Sequence, residues 1–167
     1  TAFLIRGVEF TATEVGAINK GMGLAATLVG VVFGGVLMAR LGLFRSLLVF
    51  GVLQAISNLT FMWLASVGKD YAVMVLAVGF ENLAGGMGTA AFVALLMAMC
   101  DKRFTASQFA LLSALAAVGR VYVGPASGYM VEAIGWTTFF GFTFLMALPG
   151  LLLLFIMRRS IEAMGRA

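Results

Sequence analysis

Charged residues divide the chain into apolar stretches whose lengths match the thickness of a lipid bilayer. The stretches 21–39, 46–68 and 133–157 contain 19, 23 and 25 residues and no charge. An α-helix rises 1.5 Å per residue and needs about 20 apolar residues to cross a hydrocarbon core about 30 Å thick. These three stretches therefore predict three membrane-spanning helices.

Two further apolar stretches each contain one charge in their interior. Glu81 interrupts the stretch 71–100, and Arg120 interrupts the stretch 104–131. Each stretch is long enough for one helix that carries one buried charge. The predicted spans are about 13–39, 45–67, 71–99, 105–131 and 135–157, followed by a tail at 158–167.

The first residues predict the end of another helix. The chain begins at Thr1, and its first apolar stretch ends at Arg6, so we expect a fragment whose first helix is truncated. A cleaved signal peptide fits less well, because residues 1–5 lack a basic region and no small-residue cleavage site follows them.

Composition supports a membrane protein and narrows its chemistry. Apolar residues make up 62% and charged residues 11% of the chain, and its mean hydropathy is +1.08; soluble domains average about 45–50% apolar and about 25% charged residues. Cys100 is the single cysteine and histidine is absent, which excludes an intrachain disulfide and the usual zinc sites. We expect an all-α integral membrane protein that is not an enzyme and uses no cofactor, metal or nucleic acid.

The basic residues predict the orientation of the chain in the membrane. Cytoplasmic loops of membrane proteins carry an excess of lysine and arginine. One predicted side carries few basic residues beside several acidic ones, whereas the other side carries Arg40, Arg45, Lys102, Arg103, Arg158, Arg159 and Arg166. The C-terminus is therefore predicted to lie in the cytoplasm.

Two pairs of similar segments indicate an internal repeat. The segment 10–14 (FTATE) returns at 104–108 (FTASQ), and both have the S/T-x-x-E/Q spacing of a helix capping box. Two glycines also return 93 residues later, Gly35 and Gly42 as Gly128 and Gly135. Because an odd number of spans separates the copies, they would cross the membrane in opposite directions, as in the inverted three-helix repeats of major facilitator transporters.

The loop at 35–45 is similar to the cytoplasmic gating motif of major facilitator proteins. Gly35, Arg40, Gly42 and Arg45 match glycine and basic positions of that motif. Ala39 stands where the motif has an acidic residue, and an apolar pair stands where it has basic residues. This departure argues against a gating salt bridge through the loop.

Three longer parts of the sequence place polar residues at particular depths of the predicted spans. They are EVG at 14–16 with NK at 19–20, FENLAGGMGTAAFVALLM at 80–97, and QFALLSA at 108–114 with GRVYVGP at 119–125. Together they resemble the AmpG-type muropeptide permeases. The resemblance covers essentially the whole chain. It implies the C-terminal six-helix half of a major facilitator transporter, with the predicted spans as helices eight to twelve after the end of helix seven.

This resemblance also implies a function and a set of partners. The function would be proton-driven import of GlcNAc-anhydroMurNAc peptides across the bacterial inner membrane, for cell-wall recycling and induction of the AmpC β-lactamase. The implied partners are the muropeptide, the proton, membrane lipid and an N-terminal six-helix half, with the proton gradient as energy source. Another major facilitator carrier, such as an acetyl-CoA transporter-like protein, and a non-transporting scaffold remain alternatives.

Glu81 and Arg120 are the main candidates for substrate binding or proton coupling. Glu81 lies ten residues into its helix, about 15 Å deep, where a charge costs about 2.5–3.5 kcal/mol and usually faces an interior cavity. Arg120 is predicted at a similar depth in the next, antiparallel helix. Glu81 could carry the proton while Arg120 binds a substrate carboxylate, or the two could form a buried ion pair. The sequence leaves both open.

Four further polar residues are candidates for the same site. Asn82 and Tyr122 neighbour the charged residues, although a step of one or two residues turns a helical side chain by about 100 to 200°. Lys20 and Asn19 lie near the start of the first complete span. Recognition of an anionic peptide by Lys20 competes there with simple snorkelling of the lysine to the interface.

The remaining pattern predicts how the helices are arranged. Gly85, Gly86 and Gly88 form a small-residue face suited to close helix packing, and Pro125 is expected to kink its helix. The spans 45–67 and 135–157 carry few strong polar groups and are predicted to be peripheral and partly lipid-facing.

Overall fold

The computed structural model describes residues 2–101 and 104–164, with the side chains of residues 120 and 123–126 outside that description. These residues form helices joined by short loops, and no strand occurs among them, so the all-α class is confirmed. The helices are α1 (Ala2–Arg6), α2 (Ala12–Ile18), α3 (Leu24–Leu41), α4 (Leu43–Val67), α5 (Tyr71–Ala98), α6 (Thr105–Ile134), α7 (Trp136–Ile156) and α8 (Arg158–Met164). A π-helical turn at Asn19–Gly23 joins α2 to α3.

Four helical segments are long and apolar enough to cross a membrane: Ala12–Leu41, α4, α5 and α7. They confirm a multi-pass membrane protein. Helix α6 has 30 residues, but its apolar part within the searched residues is the shorter segment Thr105–Gly119. The fifth complete span therefore stays a prediction, and so does Pro125 as a kink, because that side chain lies outside the described residues.

Two apolar clusters hold the bundle together at its opposite ends. Near α1, Phe3 packs its ring against Phe61, Trp136 and Phe140, with centroids 6.0, 5.1 and 4.9 Å away. Near α8, Ile161 is buried with Phe44, Phe50 and Ala91. Each cluster joins a terminal helix to the long helices, so both ends of the chain are fixed to the bundle.

Helices α3 and α5 pack backbone to backbone through glycines. A Cβ atom on Gly30 would lie 2.3 Å from the Leu83 carbonyl oxygen, and one on Gly86 would lie 2.5 Å from the Thr27 carbonyl oxygen. Small residues allow this approach between membrane helices. The packing role predicted for Gly86 is confirmed, but Gly85 and Gly88 instead line a cavity. Gly30 on α3 was not predicted.

Helix α4 is not peripheral in the described bundle, so that part of its prediction is wrong, whereas exposed apolar side chains such as Val49, Ile56 and Trp63 agree with a partly lipid-facing span. It packs against α5 on one side and α7 on another, and it also contacts α3 and α8. Its buried residues include Ser57 and Leu64, both fully inaccessible to solvent. The sequence indicated a peripheral position because the few polar groups of this span are uncharged. Several of these groups nevertheless point into the bundle.

Single glycines connect α3 to α4 and α6 to α7 with the same geometry. Gly42 has φ 80° and ψ 164°, and Gly135 has φ 76° and ψ 164°. Each donates its N–H to the carbonyl four residues earlier, at 2.9 Å, and accepts from the N–H four residues later. These backbone angles belong to a region that only glycine adopts readily. The 93-residue offset is therefore repeated in the backbone as well as in the sequence.

The predicted capping boxes behave differently. Thr11 caps α2 as predicted: its Oγ1 accepts from the Glu14 N–H, and Glu14 Oε2 accepts from the Thr11 N–H at 2.8 Å. The prediction of a capping box at 105–108 is wrong. Thr105 is already helical and donates its hydroxyl to the Asp101 carbonyl, while Gln108 accepts from the Asp101 N–H. The preceding turn provides the partners that the capping box would have supplied.

Candidate functional site

Glu81 lies where two cavities of the bundle meet. The large cavity, about 870 Å³, is lined by residues of α4, α5 and α7, including Leu47, Phe92 and Leu154. The small cavity, about 220 Å³, is lined by residues nearer α1, including Phe61 and Trp136. Glu81 lines both. Its predicted place beside a cavity agrees with this geometry, although its side chain is exposed in the described bundle.

Two carboxamides of α4 share these cavities with Glu81. Gln54 lines the large cavity, and Asn58 lines the small one. Both also line a side cavity of about 290 Å³ between α4 and α7. Gln54 and Asn58 were not among the predicted site residues, although their i, i+4 spacing in a helix with few polar residues indicates that they share a face.

The predicted ion pair between Glu81 and Arg120 stays a prediction. Arg120 belongs to α6, but its side chain lies outside the described residues. Tyr122, two residues further on, is 75% exposed on the same helix. Its ring therefore faces away from the described bundle, and the structure does not bring it to Glu81.

Asn82 faces α3 rather than the cavities beside Glu81. Its Nδ2 donates to the Val78 carbonyl at 2.8 Å, and its Oδ1 accepts from the Thr27 hydroxyl at 3.1 Å. A Cβ atom on Gly23 would lie 3.2 Å from Asn82 Nδ2 and 3.6 Å from Asn19 Oδ1. Asn19 and Asn82 therefore both lie beside Gly23 of the π-helical turn, and neither lines the cavities that Glu81 lines.

Lys20 lies in this π-helical turn and is exposed. Turns of this kind insert an extra residue into a helix and often occur at functional sites. Lys20 follows Asn19 in the chain, and it does not line either of the cavities that Glu81 lines. The predicted site residues whose side chains the structure describes thus do not form one cluster.

The predicted gating loop lies against the tail helix. Arg40 and Arg45 are exposed, and Gly35 has no heavy atom within 4 Å of an added Cβ. A cavity of about 320 Å³ separates the Gly42 connection from α8. On its far side the Arg158 guanidinium lies 5.6 Å from the Phe44 ring centroid and 2.8 Å from Glu162 Oε1.

A polar network closes the opposite end of the bundle. Lys69 Nζ donates to the Glu9 carbonyl at 3.1 Å and lies 5.4 Å from the Phe10 ring centroid. The Tyr71 hydroxyl donates to Glu14. These contacts tie the α1–α2 loop to the α4–α5 loop, and they place Lys69 at the end of the bundle away from Arg45.

Four helices of membrane-spanning length, with a carboxylate in a cavity among them, define a multi-pass helical membrane protein. The chain is 59% identical over 162 residues to the anhydromuropeptide permease of Escherichia coli (strain K12), which covers 97% of this chain and 33% of the relative. It is 35% identical over 153 residues to putative transporter AmpG 4 of Rickettsia conorii, covering 92% of this chain and 37% of the relative.

Putative transporter AmpG 1 of Rickettsia prowazekii is 32% identical over 153 residues, covering 92% of this chain and 34% of the relative. No family model matches the chain. The chain is thus related along nearly its whole length to the AmpG-type muropeptide permeases, and the resemblance is confirmed. It spans about a third of the length of the curated relatives it matches. These relatives are named as permeases or transporters, not enzymes.

Proposed function

We propose that this chain is the C-terminal six-helix half of a proton-coupled carrier that imports anhydromuramyl peptides across the bacterial inner membrane. The observation that carries the proposal is the 59% identity, over 97% of the chain, to a protein named anhydromuropeptide permease. Import of this kind would return peptidoglycan fragments for cell-wall recycling and feed AmpC induction. In a major facilitator carrier the substrate would bind between this half and an N-terminal half.

The geometry supports Glu81 as the proton-coupling group. A carboxyl is costly inside a membrane unless it faces a cavity or a partner, and such residues mark ion pathways. Glu81 lines two cavities that extend toward opposite ends of α4, from Leu47 to Phe61, about 21 Å apart at 1.5 Å per residue. The proton gradient would then serve as the energy source, with no cofactor.

Uptake measurements test the proposed substrate. The full-length transporter containing this sequence, expressed in cells that lack their own permease, should restore uptake of labelled GlcNAc-anhydroMurNAc peptide. Membrane insertion is checked by surface labelling. A well-inserted protein that gives no uptake would contradict the substrate assignment.

The variant Glu81→Gln tests the proposed proton role. Gradient-driven accumulation of the labelled peptide should be lost, because the amide cannot take up and release a proton. Exchange of labelled for unlabelled peptide across energy-depleted vesicles should continue, since exchange needs no net proton movement. Unchanged accumulation would remove Glu81 from the mechanism.

A further inference from the structure

Gln54 and Asn58 present two carboxamides to the cavities that Glu81 lines. They lie four residues apart on α4, and residues at this spacing lie on the same face of a helix. Asn58 lines the small cavity with Glu81, and Gln54 lines the large cavity with Glu81. Glu81 thus shares each of its two cavities with one carboxamide of α4, while Thr89 is a further polar residue of the large cavity.

Gly85 lines the large cavity together with Gln54 and Glu81. Gly85 follows Glu81 by four residues on α5, so it lies one turn away on the same face. A Cβ atom at Gly85 would lie 3.6 Å from Gln54 Oε1, an ordinary contact distance. A larger side chain at Gly85 would extend into the large cavity beside Gln54.

Hydrogen bonds with Ser57 of the same helix hold the Gln54 side chain in place. The Gln54 Nε2 donates to the Ser57 hydroxyl at 3.3 Å, and that hydroxyl donates to the main-chain carbonyl of Gln54 at 2.7 Å. Ser57 is fully buried. One amide hydrogen is thus used within α4, and the second hydrogen and the side-chain oxygen are left for the cavity.

The chemistry of a carboxamide suits a group that changes protonation. A carboxamide N–H can donate to a carboxylate, and its oxygen can accept from a carboxylic acid. A lysine or arginine in the same place would favour the ionised form alone. Among the described residues that line the two cavities, Glu81 is the one with an ionisable side chain.

We propose that Asn58 and Gln54 are positioning residues that hold the Glu81 carboxyl in two orientations, toward the small cavity and toward the large cavity respectively. The proton enters on the carboxyl in one orientation and leaves in the other, and the carboxamides stabilise the carboxyl in each. This inference rests on the proposed transport function and on the role of Glu81 within it.

The test uses Asn58→Leu and Gln54→Leu in the full-length transporter, with membrane vesicles and labelled GlcNAc-anhydroMurNAc peptide. Each variant should lower gradient-driven accumulation about tenfold or more, the effect of losing one hydrogen bond to a charged group, while exchange continues. Asn58→Gln should recover most of the loss, because it keeps the carboxamide. The matched control is Thr60→Val on the same helix, whose hydroxyl donates to the Ser57 carbonyl and which does not line these cavities.

A double variant separates this inference from the proposed function. In a Glu81→Gln background, adding Asn58→Leu should cause no further loss, because the positioning residue has nothing left to position. If the leucine variants accumulate peptide normally while Glu81→Gln does not, the positioning role is overturned and the proposed function stands. If Glu81→Gln itself accumulates normally, both fail. Equal loss of exchange and accumulation in the leucine variants would show a structural role and also overturn the inference.

Discussion

Individual glycines determine how closely α3 and α5 approach each other. Gly30 has so little space that an added Cβ would meet the Leu83 carbonyl oxygen at 2.3 Å, whereas Gly35 on the same helix has nothing within 4 Å. Both are glycines in one apolar helix, and their sequence neighbourhood does not distinguish them. The structure therefore assigns a packing role to Gly30 and none to Gly35.

This difference predicts opposite effects of two identical substitutions. Gly30→Ala should destabilise the protein by about 1–3 kcal/mol, because the two helix backbones must separate. Gly35→Ala should be neutral or stabilising by up to about 1 kcal/mol, since alanine favours helix formation. Thermal melting of the detergent-solubilised full-length protein measures both. Equal melting temperatures would show that the α3–α5 contact is not as close as described.

The sequence predicted how deep in the membrane each candidate site residue lies, but not which neighbouring helix its side chain faces. Charge and distance along the helix identified Glu81, because a membrane-buried carboxylate is conspicuous in an apolar run. Gln54 and Asn58 are uncharged, and their importance depends on which face of α4 meets α5. Asn82 adjoins Glu81 in sequence but turns to α3 and bonds to Thr27. A single sequence does not specify these lateral directions.

At the scale of whole helices, the glycine connections explain where α3 and α6 end. Each helix stops at a glycine with φ near 80° and ψ 164°, and the next helix starts at the following residue. The sequence pattern located these glycines as a pair 93 residues apart. It could not show that both have the same backbone conformation.

Substitution of either connecting glycine should have a similar effect. Gly42→Ala and Gly135→Ala should each cost about 1–3 kcal/mol of stability, because a side chain strains this backbone conformation. Gly128→Ala is the control, since an added Cβ there has nothing within 4 Å. Melting temperatures of the three variants check the prediction. A normal melting temperature for only one connecting glycine would contradict a structural repeat.

The two capping segments should respond differently to the same change. Thr11→Ala removes a side-chain cap and should cost about 1 kcal/mol, seen as faster hydrogen exchange of the amides at 12–15. Thr105→Ala leaves the Gln108 bond to Asp101 intact and should change exchange at 106–109 much less. Equal acceleration at both helices would mean that Thr105 caps α6 after all.

At the scale of the whole molecule, the structure places the basic tail and the basic loop at one end. Arg158 lies over Phe44, next to Arg45, and Ile161 is buried in the same cluster. Lys69 lies at the opposite end, bonded to the Glu9 carbonyl. The positive-inside rule then predicts a cytoplasmic location for Arg45 and the tail.

Cysteine labelling tests this orientation. In a full-length transporter whose cysteines, including Cys100, have all been replaced by serine, Lys69→Cys should react with a membrane-impermeant maleimide added to intact spheroplasts. Arg45→Cys and Arg159→Cys should react only after the membrane is permeabilised. The reverse pattern would invert the proposed topology and place the C-terminus outside.

The overall fold followed from sequence because length and hydropathy directly determine which segments cross a membrane. The helices α4, α5 and α7 occupy the stretches that the charges delimit, within one or two residues of the predicted boundaries. Helix neighbours were not predictable in the same way. Helix α4 was expected at the periphery, yet it contacts both α5 and α7, because contact depends on shape and not on hydropathy alone.

The one-residue connections leave no slack between the helices they join. A single residue spans at most about 3.6 Å, so α3 cannot slide along α4 by a full helical turn without unwinding. The backbone angles of Gly42 can still change, and they set the angle between α3 and α4. Any tilt of α3 must move the attached end of α4, and with it the tail helix α8 that packs on Phe44. The ends of α6 and α7 are coupled in the same way through Gly135.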